Sequence, residues 1–138
     1  MKANAILAAF VALVACGGGG DDSAIAFPEN AYVRVDSAQK SYSIEVRTSP
    51  QPPVAGVNTI ELRIRDAQSR PADGLSLTVV PFMPAHSHGA SVHPTIVPKG
   101  DGAYVVQNVS TFMAGRWELD TQIQGSPNDT AAILLDVR

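Results

Sequence analysis

The sequence predicts an all-β fold, an immunoglobulin-like antiparallel β-sandwich of about seven strands. Apolar and polar residues alternate with the period of two that is typical of half-buried strands. Turn residues recur between these segments, and no segment shows the periodicity of an amphipathic helix. The chain has one cysteine, so the predicted sandwich lacks an intrachain disulfide. The predicted strands cover residues 32–36, 42–48, 58–66, 75–82, 103–109, 115–123 and 131–137.

The strongest strand predictions come from segments whose apolar residues fall on one face. In residues 42–48 Tyr42, Ile44 and Val46 lie on one face, and the Pro-rich segment 49–53 ends the strand because proline cannot donate to a sheet ladder. Residues 58–66 repeat the pattern, and turns are predicted at residues 68–74 and 99–102. The predicted inward positions are Tyr42, Ile44, Val46, Ile60, Leu62, Ile64, Trp117, Leu119, Thr121 and Ile123.

The first 15 residues have the features of a signal peptide. Lys2 gives a positive start, and residues 5–15 form an apolar run too short to span a bilayer, which needs about 20 apolar residues. The run ends in Leu13-Val14-Ala15-Cys16, which resembles the lipobox at which bacterial lipoproteins are cut and lipidated. We therefore expect lipid on Cys16, a flexible tether over residues 16–30, and a domain over residues 31–138.

The net charge and the predicted lipid anchor bear on the class of partner and on the location of the protein. The net charge is −3 and the ten Lys and Arg residues are scattered, which argues against a nucleic-acid partner. Position 18 is glycine rather than aspartate, which favours the outer membrane by resemblance to enterobacterial sorting signals. We therefore expect the protein in the bacterial cell envelope, held by its lipid at the outer membrane and facing the periplasm.

Two short motifs carry residue types that bind metals. All three histidines lie between positions 86 and 93, and Met83 opens the same stretch. Met113 lies in a second motif, residues 112–117, which also holds the only tryptophan. Imidazole and thioether suit copper, whereas zinc is less favoured because neither motif offers a cysteine or a clear carboxylate ligand. The predicted metal ligands are Met83, His86, His88 and Met113, with His93 in second place.

The same residues also have a packing interpretation. Met83 and Met113 each follow a phenylalanine and could fill gaps in the core. Trp117 alternates with Leu119 and Thr121 along its predicted strand, which favours a place in the core. His86 and His88 point to the same side if the segment is extended, but a hydrogen-bonded surface loop explains the pair equally well.

A catalytic role is not expected. Ser87 lies between two histidines, yet neighbours along a strand point to opposite faces, so this adjacency does not make a Ser–His pair. The sequence contains no nucleophile elbow, phosphate-binding loop or paired-carboxylate motif.

Five segments, taken together in this order, form a pattern that is typical of one protein family: residues 53–58, Asp66 followed by Pro71, residues 83–89, residues 102–104 and residues 113–118. Together they resemble the YtkA-like domain family, which comprises small bacterial β-sandwich domains similar to the FixH group. The resemblance covers about residues 42–124 and implies a secreted or lipid-anchored protein. It also implies a link to copper handling or cytochrome oxidase assembly, and hence a copper-handling or other envelope protein as partner. Ala114 departs from the pattern, since members often carry proline there.

The sequence leaves two functions open. The first is a lipid-anchored envelope module that buffers or passes copper through the Met/His site. The alternative is a non-catalytic structural or protein-interaction sandwich without metal, in which the methionines pack in the core and the glycines form turns.

Overall fold

The computed structural model describes residues 25–138, which form a sandwich of two antiparallel sheets. The predicted signal peptide, Cys16 and the first part of the predicted tether lie outside the described residues. The strands are β1 (Val33–Asp36), β2 (Tyr42–Ser49), β3 (Gly56–Asp66), β4 (Ser76–Met83), β5 (His88–Gly89), β6 (Thr95–Gly100), β7 (Ala103–Thr111), β8 (Gly115–Gln124) and β9 (Asp129–Val137), with a 3-10 turn at Pro84–His86.

Each sheet combines strands that follow one another in the sequence with one pairing between distant strands, β3 with β7 and β4 with β8. The first sheet has five strands in the order β1-β2-β3-β7-β6, and the second has four in the order β5-β4-β8-β9. All paired strands run antiparallel, so the predicted all-β, immunoglobulin-like sandwich is confirmed. Among residues 25–138, no helix has the length and apolar character needed to cross a membrane.

The structure contains two strands that the sequence did not predict. One is the two-residue β5, which is too short to show an alternating pattern. The other is β6, which contains Pro98 and overlaps the start of the turn predicted at residues 99–102. Proline is tolerated in β6 because this strand lies at the edge of its sheet. The turn itself is tighter than predicted, and Gly100, Asp101 and Gly102 all have positive φ angles there.

The core lies between the sheets and consists of the inward residues of both. Every predicted inward position is buried, including the polar Thr121, which is 2 % exposed. Alternation of buried and exposed residues is most regular in β9, the edge strand of the second sheet. The largest fully buried side chains are Trp117, Tyr104, Ile44, Ile60, Leu62, Ile64, Leu119, Ile123, Ile133 and Leu135.

The last residues of the predicted tether lie against the domain. The backbone carbonyl of Glu29 accepts a hydrogen bond from Arg47 Nε at 3.3 Å. The carbonyl of Asn30 accepts one from Gln51 Nε2 at 3.0 Å. The part of the chain that contacts the sandwich therefore begins upstream of residue 31.

The turn between β6 and β7 is fastened to β3 and to the loop before β4. The carbonyl of Gly102 accepts a hydrogen bond from the Ile64 backbone N–H at 2.8 Å, and its own N–H donates to Asp73 Oδ1 at 2.8 Å. Gly102 has a φ of +71°, and a Cβ atom there would clash with the Ile64 carbonyl oxygen. The position therefore requires glycine for both conformation and space.

A buried carboxylate joins the two sheets at the end of the sandwich where β9 begins. Asp129 is 5 % exposed and accepts hydrogen bonds from the backbone N–H groups of Gln39 and Ser41, in the turn between β1 and β2. Burial alone raises the pKa of the Asp129 carboxyl. Hydrogen bonds from the Ser37 side chain and from the Thr130 and Gln39 backbone outweigh that effect and lower the pKa to about 2.

We expect Gly102→Ala to lower the free energy of unfolding by about 3 kcal/mol or more, because strain and a backbone clash combine there. Gly74→Ala is the matched control, since Gly74 has a φ of +73° with open space around it. That variant should lose only about 1 kcal/mol, from conformational strain. Urea denaturation measures both values, and equal losses would show that the close approach to Ile64 is unimportant.

We expect Asp129→Asn to destabilise the fold at neutral pH by about 2 kcal/mol, through loss of charge-assisted hydrogen bonds. Because the folded pKa of about 2 lies below the ordinary 3.8, the contribution is complete above about pH 5 and is lost as the pH falls toward 2. The stability gap between native protein and variant should therefore narrow over that range. Asp136→Asn, which removes an exposed carboxylate paired with Arg116, should show a small gap at every pH.

Candidate functional site

The first predicted motif folds back on itself at one end of the sandwich. β4 ends at Met83, and the 3-10 turn begins with Pro84, whose fixed φ suits the first position of a helical turn. Ser87 then adopts a left-handed conformation with a φ of 53°, which reverses the chain. As a result β5 pairs with the end of β4, and His88 lies opposite Met83.

The second predicted motif crosses from one sheet to the other at the same end. Residues 112–114 connect β7, in the five-stranded sheet, to β8, in the four-stranded sheet. Phe112 is 52 % exposed and Met113 is 36 % exposed, so both side chains reach the surface of this crossing.

Four rings from the two motifs form one cluster, which we call the rim cluster: His86, His88, Phe112 and Trp117. The His86 and His88 ring centroids are 5.6 Å apart with an interplanar angle of 30°. His88 stacks on Phe112 at 5.4 Å and 18°, and it meets the edge of Trp117 at 6.4 Å. Phe112 meets Trp117 at 5.3 Å and 79°. The two motifs therefore meet in space, with the His88 ring at the centre of the cluster.

Trp117 links the cluster to the core. Its side chain is fully buried, and its indole N–H donates to the Met113 backbone carbonyl at 2.9 Å. This bond satisfies a polar group that burial would otherwise leave unpaired. It also fixes the backbone of the crossing beside the histidines.

The structure places the two methionines in different environments. Met83 is 3 % exposed and belongs to the hydrophobic core. A Cβ atom added at Gly115 would lie 2.7 Å from the terminal methyl group of Met83. The absence of a side chain at Gly115 therefore makes room for the Met83 side chain. Met83 is therefore a core side chain, whereas the Met113 side chain reaches the surface of the crossing.

The histidines differ in exposure and position. His86 is exposed, His88 is half-buried, and His93 is exposed in the segment between β5 and β6. Within residues 25–138, no group of three or more His, Cys, Asp or Glu side chains is arranged to hold a metal ion. The structure brings His86 and His88 together and leaves His93 out of the rim cluster.

Phe112 has a role that the sequence analysis did not assign. Its stacking on His88 orients the imidazole that pairs with His86. The available signal was an aromatic residue just before a Met-x-Gly-x-Trp motif, but only the sheet crossing shows that its ring reaches the histidines.

Comparisons with known proteins agree with the fold and assign the family. No curated protein matches the chain. The structure of the Yersinia pseudotuberculosis adhesin InvE matches with a TM-score of 0.50 and 12% identity, over 74% of this chain and 27% of the adhesin chain. At that identity the likeness concerns the fold alone, and this chain spans about a quarter of the adhesin's length. The YtkA-like family profile matches residues 36–122, and the chain therefore belongs to the YtkA-like family.

Proposed function

We propose that this protein is a lipid-anchored module of the bacterial cell envelope that binds copper at the rim cluster without catalysing a reaction. His86 and His88 are the primary ligands in this proposal, and Met113 supplies a thioether. The lipid on Cys16 holds the domain at the outer membrane facing the periplasm. Its partner there is a protein that gives or receives copper.

The spacing of the two imidazole rings is the observation that carries the proposal. An imidazole nitrogen binds a transition metal at about 2 Å, which places the ring centroid roughly 3 Å from the ion. Two imidazoles on one ion therefore have centroids up to roughly 6 Å apart. The His86 and His88 centroids are separated by 5.6 Å, which lies within the range for two rings that share an ion.

The surroundings of the pair favour copper among the transition metals. Met113 is partly exposed, and its backbone carbonyl accepts the hydrogen bond from Trp117. Its neighbour in sequence is Phe112, whose ring stacks on His88. Neutral imidazole with thioether suits Cu(I), and the histidines also accept Cu(II). Met83 is left out of the ligand set because its side chain packs in the core.

The alternative function, a structural or protein-interaction domain without metal, is favoured by one observation. The packing of Met83 in the core and of His88 against Phe112 is explained by folding alone. On that interpretation the rim cluster is a fold feature, and its exposed Phe112 contacts a protein partner. The two functions give opposite results in a copper titration.

We expect the purified protein to bind one Cu(I) in an anaerobic titration against a chromophoric chelator, and its melting temperature to rise with added Cu(I). His86→Ala combined with His88→Ala should weaken that binding by about tenfold or more, since both primary ligands are removed. His93→Ala is the matched control, because His93 is exposed and lies outside the rim cluster. Equal copper affinity in the double variant and the control would exclude the proposed site.

We expect substitution of Met83 to change the free energy of unfolding and substitution of Met113 to change the affinity for Cu(I). Met83→Ala removes a buried core side chain and should cost about 2–5 kcal/mol of unfolding free energy with little change in copper affinity of the folded protein. Met113→Ala should leave stability within about 0.5 kcal/mol, since the deleted group is partly exposed, and should weaken Cu(I) binding. Urea denaturation and the chelator titration test the pair, and an unchanged affinity in Met113→Ala would remove the thioether from the ligand set.

A further inference from the structure

The outer face of the five-stranded sheet brings together charges that are scattered in the sequence. Arg34 of β1 lies opposite Glu45 of β2, which lies opposite Arg63 of β3. In the next row on the same face, Ser43 lies between Asp36 of β1 and Arg65 of β3. The register therefore places arginines on both sides of β2.

These two rows border a groove on the sheet surface. Its volume is about 470 Å³, and its lining includes Arg34, Arg63 and Arg65 together with Asp36 and Glu45. The groove exists because the short, exposed side chain of Ser43 stands between longer side chains on the neighbouring strands. Its floor thus carries a hydroxyl group, and its walls carry guanidinium groups.

The carboxylates beside the groove are already engaged by arginine. Glu45 pairs with Arg34 at 3.0 Å and also with Arg47, whose side chain is 11% exposed. Glu61 pairs with Arg47 at 2.9 Å and with Arg63 at 2.8 Å. Glu45 and Glu61 are therefore shared among Arg34, Arg47 and Arg63. The groove lining carries three arginines and two carboxylates, so its net charge is positive by one.

Arg63 and Arg65 are the cations best placed to bind a further anion. They are two residues apart on β3, so they share a face at a spacing of roughly 7 Å. Arg63 is 49% exposed on its side chain and donates to Glu61 through Nε, and its terminal nitrogens make no hydrogen bond within residues 25–138. Arg65 uses Nη1 to donate to the Ser69 carbonyl at 3.1 Å, which ties its side chain to the turn after β3 and leaves its other guanidinium nitrogens without a hydrogen bond among residues 25–138.

We propose that this groove binds a phosphate group, held by the guanidinium groups of Arg63 and Arg65 and by the hydroxyl of Ser43. Guanidinium donors match phosphate oxygens in pairs, and the short hydroxyl leaves room for a tetrahedral group on the groove floor. Asp36 and Glu45 limit the affinity by repulsion. The phosphate belongs either to a free ion or to a lipid headgroup, and the groove is independent of the copper ligands.

The first test is a titration of the purified protein with inorganic phosphate at constant ionic strength, followed by ¹H–¹⁵N NMR. We expect saturable shifts at the Ser43 amide and the Arg63 Nε–H, and about tenfold weaker binding in the Arg63→Gln, Arg65→Gln double variant. Ser43→Val fills the groove floor without changing charge and should weaken binding as well. Arg116→Gln, which removes an exposed arginine of the other sheet, should bind like the native protein.

A second arm separates the two phosphate sources. The protein is sedimented with phosphatidylcholine vesicles that contain or lack phosphatidic acid. If binding requires phosphatidic acid and is lost in the double variant, the phosphate is that of a lipid headgroup. Binding of inorganic phosphate alone, with the same loss, assigns a free ion. The proposal would be overturned if the protein bound neither inorganic phosphate nor phosphatidic acid. It would also be overturned if the double variant and Ser43→Val both bound phosphate like the native protein.

Discussion

The buried indole of Trp117 is the constraint on which the candidate copper site depends. A fully buried N–H group must find an acceptor, and the Met113 carbonyl provides it from the crossing between the two sheets. That crossing is three residues long, so one hydrogen bond sets the position of Met113 and of its neighbour Phe112. The Phe112 ring in turn orients His88. The order of the surface cluster therefore originates in the core.

The two methionines show how strand phase decides the role of a residue type. Met83 continues the inward series of Val79 and Pro81 along β4, so the period of two already directs its side chain to the core. Met113 follows the end of β7, where no strand phase applies, and its backbone carbonyl is held by the Trp117 hydrogen bond. The sequence presents both as a methionine after a phenylalanine, and that similarity hides the difference in burial.

Alternation along the chain was sufficient to predict the sheets but not their detail. The inward residues from Tyr42 to Ile123 follow from a period of two, because one face of each strand is buried. β5 and β6 were not predicted, since the first is two residues long and the second contains Pro98. Ring distances and cross-strand rows depend on register between distant segments, which alternation does not encode. For that reason the ten Lys and Arg residues are scattered in the sequence, and only the structure brings three of them, Arg34, Arg63 and Arg65, together around Ser43.

The exposure of the proposed copper ligands bears on what such a site can do. A ligand set that included Met83 would require its sulfur to leave the core, at a cost of about 2–5 kcal/mol in lost packing for every transfer. The proposed ligands His86 and Met113 are exposed and His88 is half-buried, while the backbone is held by β5 and by the Trp117 hydrogen bond. A protein that buffers or passes copper must release it as readily as it binds it. In the proposed role the exposed ligands meet that requirement, whereas the buried Met83 thioether belongs to the core.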